Sequence, residues 1–284
     1  MPPDYRTRFA PSPTGPLHLG HAFSALTAWG RAQAAGGTCL LRIEDIDTAR
    51  CKPQWEAAIY DDLAWLGLTW PRPAWRQSDR RAAYDATLAR LIALGLCYPC
   101  RCTRSEIRTA LSAPQEGAAP MGPDGPVYPG TCRNRPMSDA GPKDAIRLDI
   151  ARTCDLADPV PAFAETGVRA GRHRVRRDHL TRSIGDVVLA RRDIGTSYHI
   201  AVITDDAAQA ITEVVRGLDL FEVTPLHVLL QTVLGLPIPA YHHHRLIRDA
   251  SDRRLAKRSD AQALALYRAQ GLTPADIRRL VTLP

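Results

Sequence analysis

Two histidines and a proline–glycine loop follow the first candidate strand, a position where ligands bind in open α/β sheets. The residues are Arg8-Phe-Ala-Pro-Ser-Pro-Thr-Gly-Pro-Leu-His18-Leu-Gly20-His21. A helix that begins here offers free N–H groups and the positive end of its dipole to a phosphate. Gly20 lets a nucleotide approach the backbone, and His18 and His21 can donate hydrogen bonds as charge builds on phosphate oxygens. The segment therefore predicts a phosphate site, against the alternative of two ordinary histidines at a helix end.

Three cysteines form a second group with chemical potential. Cys100-Arg-Cys102 is followed, after a stretch rich in glycine and proline, by Tyr128-Pro-Gly-Thr-Cys132. Three thiolates and one further donor make a tetrahedral zinc site. A loop this rich in glycine and proline is strongly stabilised when a bound metal joins its two ends. Cys97 and Cys154 are rival fourth ligands. The alternative is a set of unrelated free thiols in a reducing compartment.

Two basic runs remain. His242-His243-His244 cannot all face one ion, because adjacent side chains on a strand point to opposite faces. We interpret this run as a strand that passes near the nucleotide pocket. The run from Arg169 to Arg182 contains six arginines and two histidines. It can follow an RNA backbone or form an ordinary solvated face.

The elements that must position these residues alternate between strand and helix. Such alternation predicts an α/β fold with a parallel sheet. Residues 114–131 are rich in proline and glycine and predict a loop or linker. The predicted strands are Thr7–Ala10, Cys39–Ile43, Ala145–Ile150, Asp186–Arg191 and Ile211–Val215. Four helices are predicted. The first is Leu19–Ala35, which ends at Gly36-Gly37, and the second begins after Pro53. The other two are Tyr198–Ala207 and Glu222–Leu234.

Length and composition limit the possible classes of protein. The chain has 284 residues, of which 45% are hydrophobic, enough for one large domain or a domain with an insertion. The formal net charge of +7 suits a polyanionic partner, although a GC-rich genome also favours arginine. No apolar stretch predicts a membrane span or a signal peptide, so we expect a cytoplasmic protein with no membrane partner.

Several motifs together resemble the glutamyl-tRNA synthetase family. The segment from Arg8 resembles the opening signature of that family, and His18-Leu-Gly-His21 resembles its "HIGH" motif. Further similar segments follow in family order: Arg42-Ile-Glu44-Asp45-Ile-Asp47, Val215-Arg216-Gly217 and Arg254-Leu-Ala-Lys257-Arg258, the last resembling the "KMSKS" loop. Arg254 and Ala256 depart from that loop, and His199 stands where the family often has asparagine.

The resemblance implies a Rossmann-like class I synthetase catalytic core that uses ATP, with Mg²⁺, to activate L-glutamate. It implies catalytic roles for His18, His21 and Lys257, which with Gly20 also bind the nucleotide. Two arginines, an acid and a hydroxyl suit the two carboxylates and the ammonium of glutamate. The glutamate-binding positions implied are Arg8, Ala10, Ser12, Glu44, Tyr198 and Arg216.

The resemblance extends to the short paralogues of this family, in which a tyrosine completes a zinc site. It implies one Zn²⁺ per chain, bound by Cys100, Cys102, Tyr128 and Cys132. The expected division is a first catalytic half at 1–96, a zinc-bearing insertion at 97–145 and a second catalytic half at 146–284.

The short paralogues transfer glutamate to queuosine in the anticodon loop of tRNA(Asp). We expect this activity because only 26 residues follow Arg258, which leaves no room for an anticodon-binding domain. Two alternatives are a truncated enzyme that charges the 3′ end of tRNA(Glu), and a zinc-containing RNA-binding module without catalysis.

Overall fold

A strand, a loop and a helix begin the fold, as the sequence predicts. The computed structural model describes residues 4–111, 121–122, 125–159, 161–247 and 262–283. Strand β1 spans Arg6–Phe9 and helix α1 spans Leu19–Ala34. The helix ends where Gly36 takes a left-handed φ of 62°, which glycine adopts at little cost.

Two parallel sheets form the Rossmann-like core. In the first, β1 pairs with β2 (Thr38–Ile43), which pairs with β3 (Trp75–Arg76). Helix α2 (Pro53–Trp65) starts on its proline, and α3 (Arg81–Ala93) follows β3. These elements confirm the predicted α/β architecture of the first half.

Three further strands form an antiparallel sheet. Its strands are β4 (Cys97–Cys100), β7 (Ala145–Leu148) and β10 (Val188–Ala190). Between β4 and β7 lie helix α4 (Arg104–Leu111) and the short hairpin of β5 (Met121–Gly122) and β6 (Gly125–Pro126). The prediction that all of 114–131 is loop is therefore wrong for the hairpin.

Strand β7 ends before its predicted limit because a helix begins there. Asp149 caps helix α5 (Ile150–Leu156), and its carboxylate accepts a hydrogen bond from the Arg152 N–H. An aspartate at this position favours a helix start over continuation of the strand.

The second parallel sheet completes the core. Strand β11 (Glu213–Gly217) pairs with β12 (Ala240–His244), which pairs with β8 (Phe163–Glu165); the antiparallel strand β9 (Gly171–His173) forms the outer edge. The Thr212 N–H donates to the Arg6 carbonyl at 2.9 Å and joins this sheet to β1. The junction of β1 and β11 therefore lies in the middle of the combined core.

The remaining helices pack around these sheets. They are α6 (Arg177–His179), which continues as a π-helical turn to Ile184, α7 (Tyr198–Ala208), α8 (Thr224–Val233), α9 (Leu264–Ala269) and α10 (Pro274–Leu280). The Leu264 N–H donates to the Leu17 carbonyl, so the last helices pack beside the start of α1. Among the helices of the described ranges, none is long and apolar enough to cross a membrane.

Candidate active site

One cavity of about 450 Å³ opens at the carboxyl ends of β1 and β11. It brings together every predicted substrate and nucleotide residue that lies in the described part of the chain. These are Arg8, Ala10, Ser12, His18, Gly20, His21, Glu44, Tyr198 and Arg216. Residues as far apart in sequence as Arg8 and Arg216 thus line one volume, which has room for a small molecule.

The two histidines form a reciprocal cap at the start of α1. The Gly20 N–H donates to His18 Nδ1 at 3.1 Å, and the His18 N–H donates to His21 Nδ1 at 3.1 Å. Since each Nδ1 accepts, the neutral rings carry their proton on Nε2 and can act as donors there. A Cβ on Gly20 would lie only 3.0 Å from the His18 ring, so a larger residue would require the ring to shift.

Arg216 is buried, and its hydrogen-bond acceptors among the described residues are all neutral. Its Nε donates to His243 at 3.0 Å and its Nη1 to His227 at 3.2 Å; Nη2 donates to Thr224 at 2.8 Å. No carboxylate in the described ranges lies within 4.0 Å of its guanidinium. Its positive charge can therefore pair with a ligand carboxylate, which suits the predicted role.

Two histidines are kept neutral around Arg216. Burial and the nearby Arg216 charge lower the pKa of His243 to about 4, and the same causes hold the pKa of His227 well below its ordinary value. Glu165 Oε2 accepts the Nδ1 proton of His243 at 2.5 Å, which leaves Nε2 to accept from Arg216. His243, held by Glu165, thus orients the guanidinium of Arg216. The imidazole in contact with the guanidinium is neutral.

Arg8 differs from Arg216 because it already has a carboxylate partner. Its Nε donates to Asp206 at 3.0 Å, and Asp206 also pairs with Arg42 at 2.8 Å. Burial raises the pKa of Asp206, but these two arginines reverse the effect and hold it below its ordinary value. The predicted role of binding a substrate carboxylate therefore fits Arg216 better than Arg8.

Glu44 lies at the edge of the same charged cluster. Burial raises the pKa of its carboxyl group, and Arg42, 3.5 Å away, opposes this effect. A ligand ammonium beside Glu44 would favour the ionised form in the same way. The residue thus fits an ammonium-binding role.

Sequence reasoning missed most of the residues that support this cavity. Asp206 contacts Arg8, His227 and His243 contact Arg216, and Glu165 contacts His243. Of these, only the run that contains His243 was expected near the pocket. One signal was available: two acidic residues, Asp205 and Asp206, interrupt the otherwise apolar stretch that forms α7. Buried acids on an apolar helix require buried cationic partners.

Lys257, with Arg254 and Ala256, lies outside the described residues, so its predicted role stays a prediction. The segments on either side reach the cavity. Leu246 and Ile247 line it, and Ala263 pairs with His18.

The three predicted cysteine ligands and the predicted tyrosine meet in one cluster. Cys100 and Cys102 each place Sγ 3.4 Å from the Tyr128 hydroxyl, and Cys102 Sγ is 3.5 Å from Cys132 Sγ. A tetrahedral zinc ion with three sulfur ligands and one oxygen ligand needs edges of about 3.5–3.8 Å. The four side chains therefore fit a metal site.

The rival fourth ligands lie elsewhere. Cys97 and Cys154 pack in the apolar core, and burial raises the pKa of the Cys97 thiol to about 12. Within the described chain, the cysteine group that can hold a metal is Cys100, Cys102 and Cys132.

The three histidines of β12 have separate partners, as the alternation of a strand predicts. His242 contacts Thr166 at 3.0 Å, His243 contacts Glu165, and His244 contacts the Arg245 carbonyl at 2.8 Å. Only His244 lines the cavity.

Comparison with known proteins identifies the family. A family model described as "tRNA synthetases class I (E and Q), catalytic domain" matches residues 4–283. The chain belongs to this family. The resemblance that the motifs carry is therefore confirmed for the whole catalytic core.

Proteins named glutamyl-Q tRNA(Asp) synthetase are similar over nearly the full chain. The protein of that name from Rhodobacter capsulatus is 59% identical over 98% of this chain and 99% of its own length. One from Burkholderia cenocepacia is 44% identical over 93% of this chain and 84% of its own length. The similarity to this branch of the synthetases is thus shown at the level of sequence.

Solved synthetases share the fold. The glutamate-tRNA synthetase of Elizabethkingia anophelis aligns with a TM-score of 0.76 at 28% identity over 98% of this chain. This chain spans 61% of the length of that structure. The methionyl-tRNA synthetase of Mycobacterium tuberculosis aligns with a TM-score of 0.61 at 12% identity. The alignment covers 98% of this chain and 64% of the length of that structure, and it shows similarity of fold alone.

Proposed function

We propose that this synthetase-family enzyme uses ATP to activate L-glutamate as glutamyl-adenylate and transfers the glutamyl group to queuosine in the anticodon loop of tRNA(Asp). The observation that carries the proposal is the single cavity in which the histidine cap of α1 faces Arg216, Tyr198 and Glu44. The names of the similar proteins from R. capsulatus and B. cenocepacia support the choice of acceptor. The tRNA substrate makes the cytoplasm the proposed location.

The glutamate pocket is proposed to hold one charged group at each of its ends. Arg216 and the Tyr198 hydroxyl, 3.5 Å apart, bind the side-chain carboxylate. Glu44 and Ser12 bind the ammonium group. Arg8, paired with Asp206, contributes the remaining N–H groups and positive potential, and Ala10 leaves space for the ligand backbone.

The nucleotide is proposed to bind at the start of α1. His18 and His21 donate through Nε2 to phosphate oxygens, and Gly20 permits close approach of the nucleotide to the backbone. Lys257 is proposed to supply a further cation, and Mg²⁺ enters with ATP. Lys257→Ala should slow adenylate formation about 10²–10³-fold, the usual effect of losing one electrostatic contact to a transition state.

The proposed reaction has two steps. A carboxylate oxygen of glutamate attacks the α-phosphorus of ATP, the bond to the bridging oxygen breaks, and pyrophosphate leaves. An acceptor hydroxyl then attacks the carbonyl carbon of the adenylate, loses its proton, and AMP leaves. The histidines stabilise the charge that builds on phosphate oxygens in the first step.

Zinc is proposed to bind Cys100, Cys102, Tyr128 and Cys132, where the measured separations fit a tetrahedral ion. All of its positions are taken by protein ligands, so its proposed contribution is to close the insertion between β4 and β7. The division into 1–96, 97–145 and 146–284 follows this insertion.

Glutamate-dependent exchange of labelled pyrophosphate into ATP tests the activation step. The proposal expects exchange with glutamate in the absence of tRNA. If exchange were absent both with and without tRNA, the alternative of a non-catalytic RNA-binding module would replace it. Exchange that appears only with tRNA(Glu) would favour the alternative that charges the 3′ end.

A further inference from the structure

Two cavities lead from the candidate active site towards the cysteine insertion. The second cavity, of about 300 Å³, shares Ser12, Glu44 and Tyr198 with the first. The third, of about 650 Å³, shares Val188 and Arg191 with the second. The three cavities are therefore neighbours in a row from the catalytic core to the base of the insertion.

The third cavity carries arginines that have no carboxylate partner among the described residues. Arg104 and Arg108, both exposed on α4, form no ion pair with any residue of the described ranges. Arg147 donates to the Asp186 backbone carbonyl at 2.7 Å, and its guanidinium lies 3.8 Å from the Tyr128 ring centroid. Its Nε is buried and has no hydrogen-bond partner in the described chain.

Among the described residues that line this cavity, the carboxylate is that of Asp186, and it is already occupied. Asp186 accepts hydrogen bonds from the Tyr98 hydroxyl, from Arg133 at 2.8 Å and from the Ile150 N–H at 3.1 Å. Arg191 is also neutralised, because it pairs with Asp193 at 2.6 Å and lies 3.6 Å from Asp47. Three guanidinium groups thus remain for a polyanionic ligand.

The packing of the insertion on the core fixes this cavity in place. Gly185 has a φ of 71°, and a side chain there would collide with Val127 of the insertion. Arg192 donates to the carbonyls of Cys100 and Cys102. The wall that carries Arg104 and Arg108 is therefore attached to the core next to the candidate active site.

The basic run at Arg169–Arg182 is less suited to RNA. Arg169 pairs with Glu222 at 2.7 Å, Arg176 with Asp178 at 2.9 Å, and Arg177 with Asp155. Strand β9, in the middle of this run, lies three strands from β11, or about 14 Å at ordinary strand spacing. Half of its arginine charge is thus already paired, and β9 lies far from the cavity.

We propose that backbone phosphates of the RNA substrate bind Arg104, Arg108 and Arg147 in the third cavity, and that the acceptor nucleoside reaches the adenylate through the second. This rests on the proposed function, which supplies the RNA. Apolar residues between the arginines, including Ile107, Ile184 and Val187, suit the bases and riboses of an unpaired strand.

Binding of tRNA(Asp) at several salt concentrations tests the proposal. Removing two phosphate contacts from a single strand lowers the slope of log K against log salt by about 1.4. The double variant Arg104→Ala with Arg108→Ala should show this loss, and the double variant Arg104→Lys with Arg108→Lys should keep the wild-type slope. Pyrophosphate exchange without tRNA should stay unchanged.

The matched control removes Arg172 and Arg174, which are exposed near β9 and form no ion pair among the described residues. This control should keep the wild-type slope. An unchanged slope in the Arg104 and Arg108 variant, or an equal loss in the control, would overturn the proposal. Failure of the proposed function would look different: the wild type would not transfer glutamate, whatever the salt dependence of binding.

Discussion

At the scale of single residues, Arg216 and Arg8 differ in a way that the sequence does not reveal. Both were expected to bind substrate carboxylates, yet Arg8 is paired with Asp206, whereas the acceptors of Arg216 in the described part of the chain are neutral. The partner of Arg8 lies 198 residues away in sequence. Motif spacing identifies the functional side chains but does not predict such long-range partners.

The isolated charge of Arg216 predicts discrimination against glutamine. Glutamine lacks the side-chain carboxylate and would leave a buried cation without its partner, at a cost of about 3 kcal/mol or more. We expect kcat/KM in pyrophosphate exchange to be at least about 10²-fold lower with glutamine than with glutamate. Arg216→Gln should lower exchange with glutamate and bring the ratio close to one. Equal rates with both amino acids in the wild type would contradict this account.

His243 predicts a positioning role that can be separated from catalysis. His243→Phe removes the acceptor for Arg216 Nε, and a hydrogen bond to a charged group contributes about 1.5–3 kcal/mol. We expect the KM for glutamate to rise about tenfold or more while kcat changes little. The control is His242→Phe, whose side chain contacts Thr166 instead. A fall in kcat alone, or the same KM change in the control, would count against the role.

At the scale of elements, local signals predicted the core better than the insertion. Gly36-Gly37 predicted the end of α1, and Pro53 predicted the start of α2. The predicted starts of both helices agree with the structure. Strands β7 and β10 of the antiparallel sheet were predicted, but β4 was missed because Pro99 lies within it, and proline is unusual in a strand. The pairing that builds this sheet joins residues far apart in sequence, so no local pattern reveals it.

The cysteine cluster gives a test at this scale. Zinc-replete wild type should contain about one zinc per chain, and both Cys100→Ser and Tyr128→Phe should contain less, because each removes a ligand. Elemental analysis after dialysis measures this directly. Cys51→Ser provides the control, since Cys51 lies outside the cluster. Equal zinc in Cys100→Ser and wild type would rule out this set of ligands.

At the scale of the whole molecule, buried histidines predict how stability depends on pH. Burial lowers the pKa of His227, His242, His243 and His244. Below pH 6.5 the unfolded chain therefore binds protons that the folded chain does not, and folding weakens as the pH falls. For His243, with a pKa of about 4, this lowers the free energy of unfolding by about 2 kcal/mol between pH 7 and 5. Urea unfolding at both values checks this; equal or greater stability at pH 5 would contradict it.

The acceptor is the central claim, and transfer of labelled glutamate to tRNA(Asp) without its 3′-terminal adenosine tests it most directly. Removal of this adenosine eliminates 3′-end charging and leaves the anticodon loop intact. The account predicts that labelling persists on this tRNA and disappears on tRNA(Asp) that lacks queuosine. Labelling that is lost with the 3′ adenosine, or that does not depend on queuosine, would contradict it.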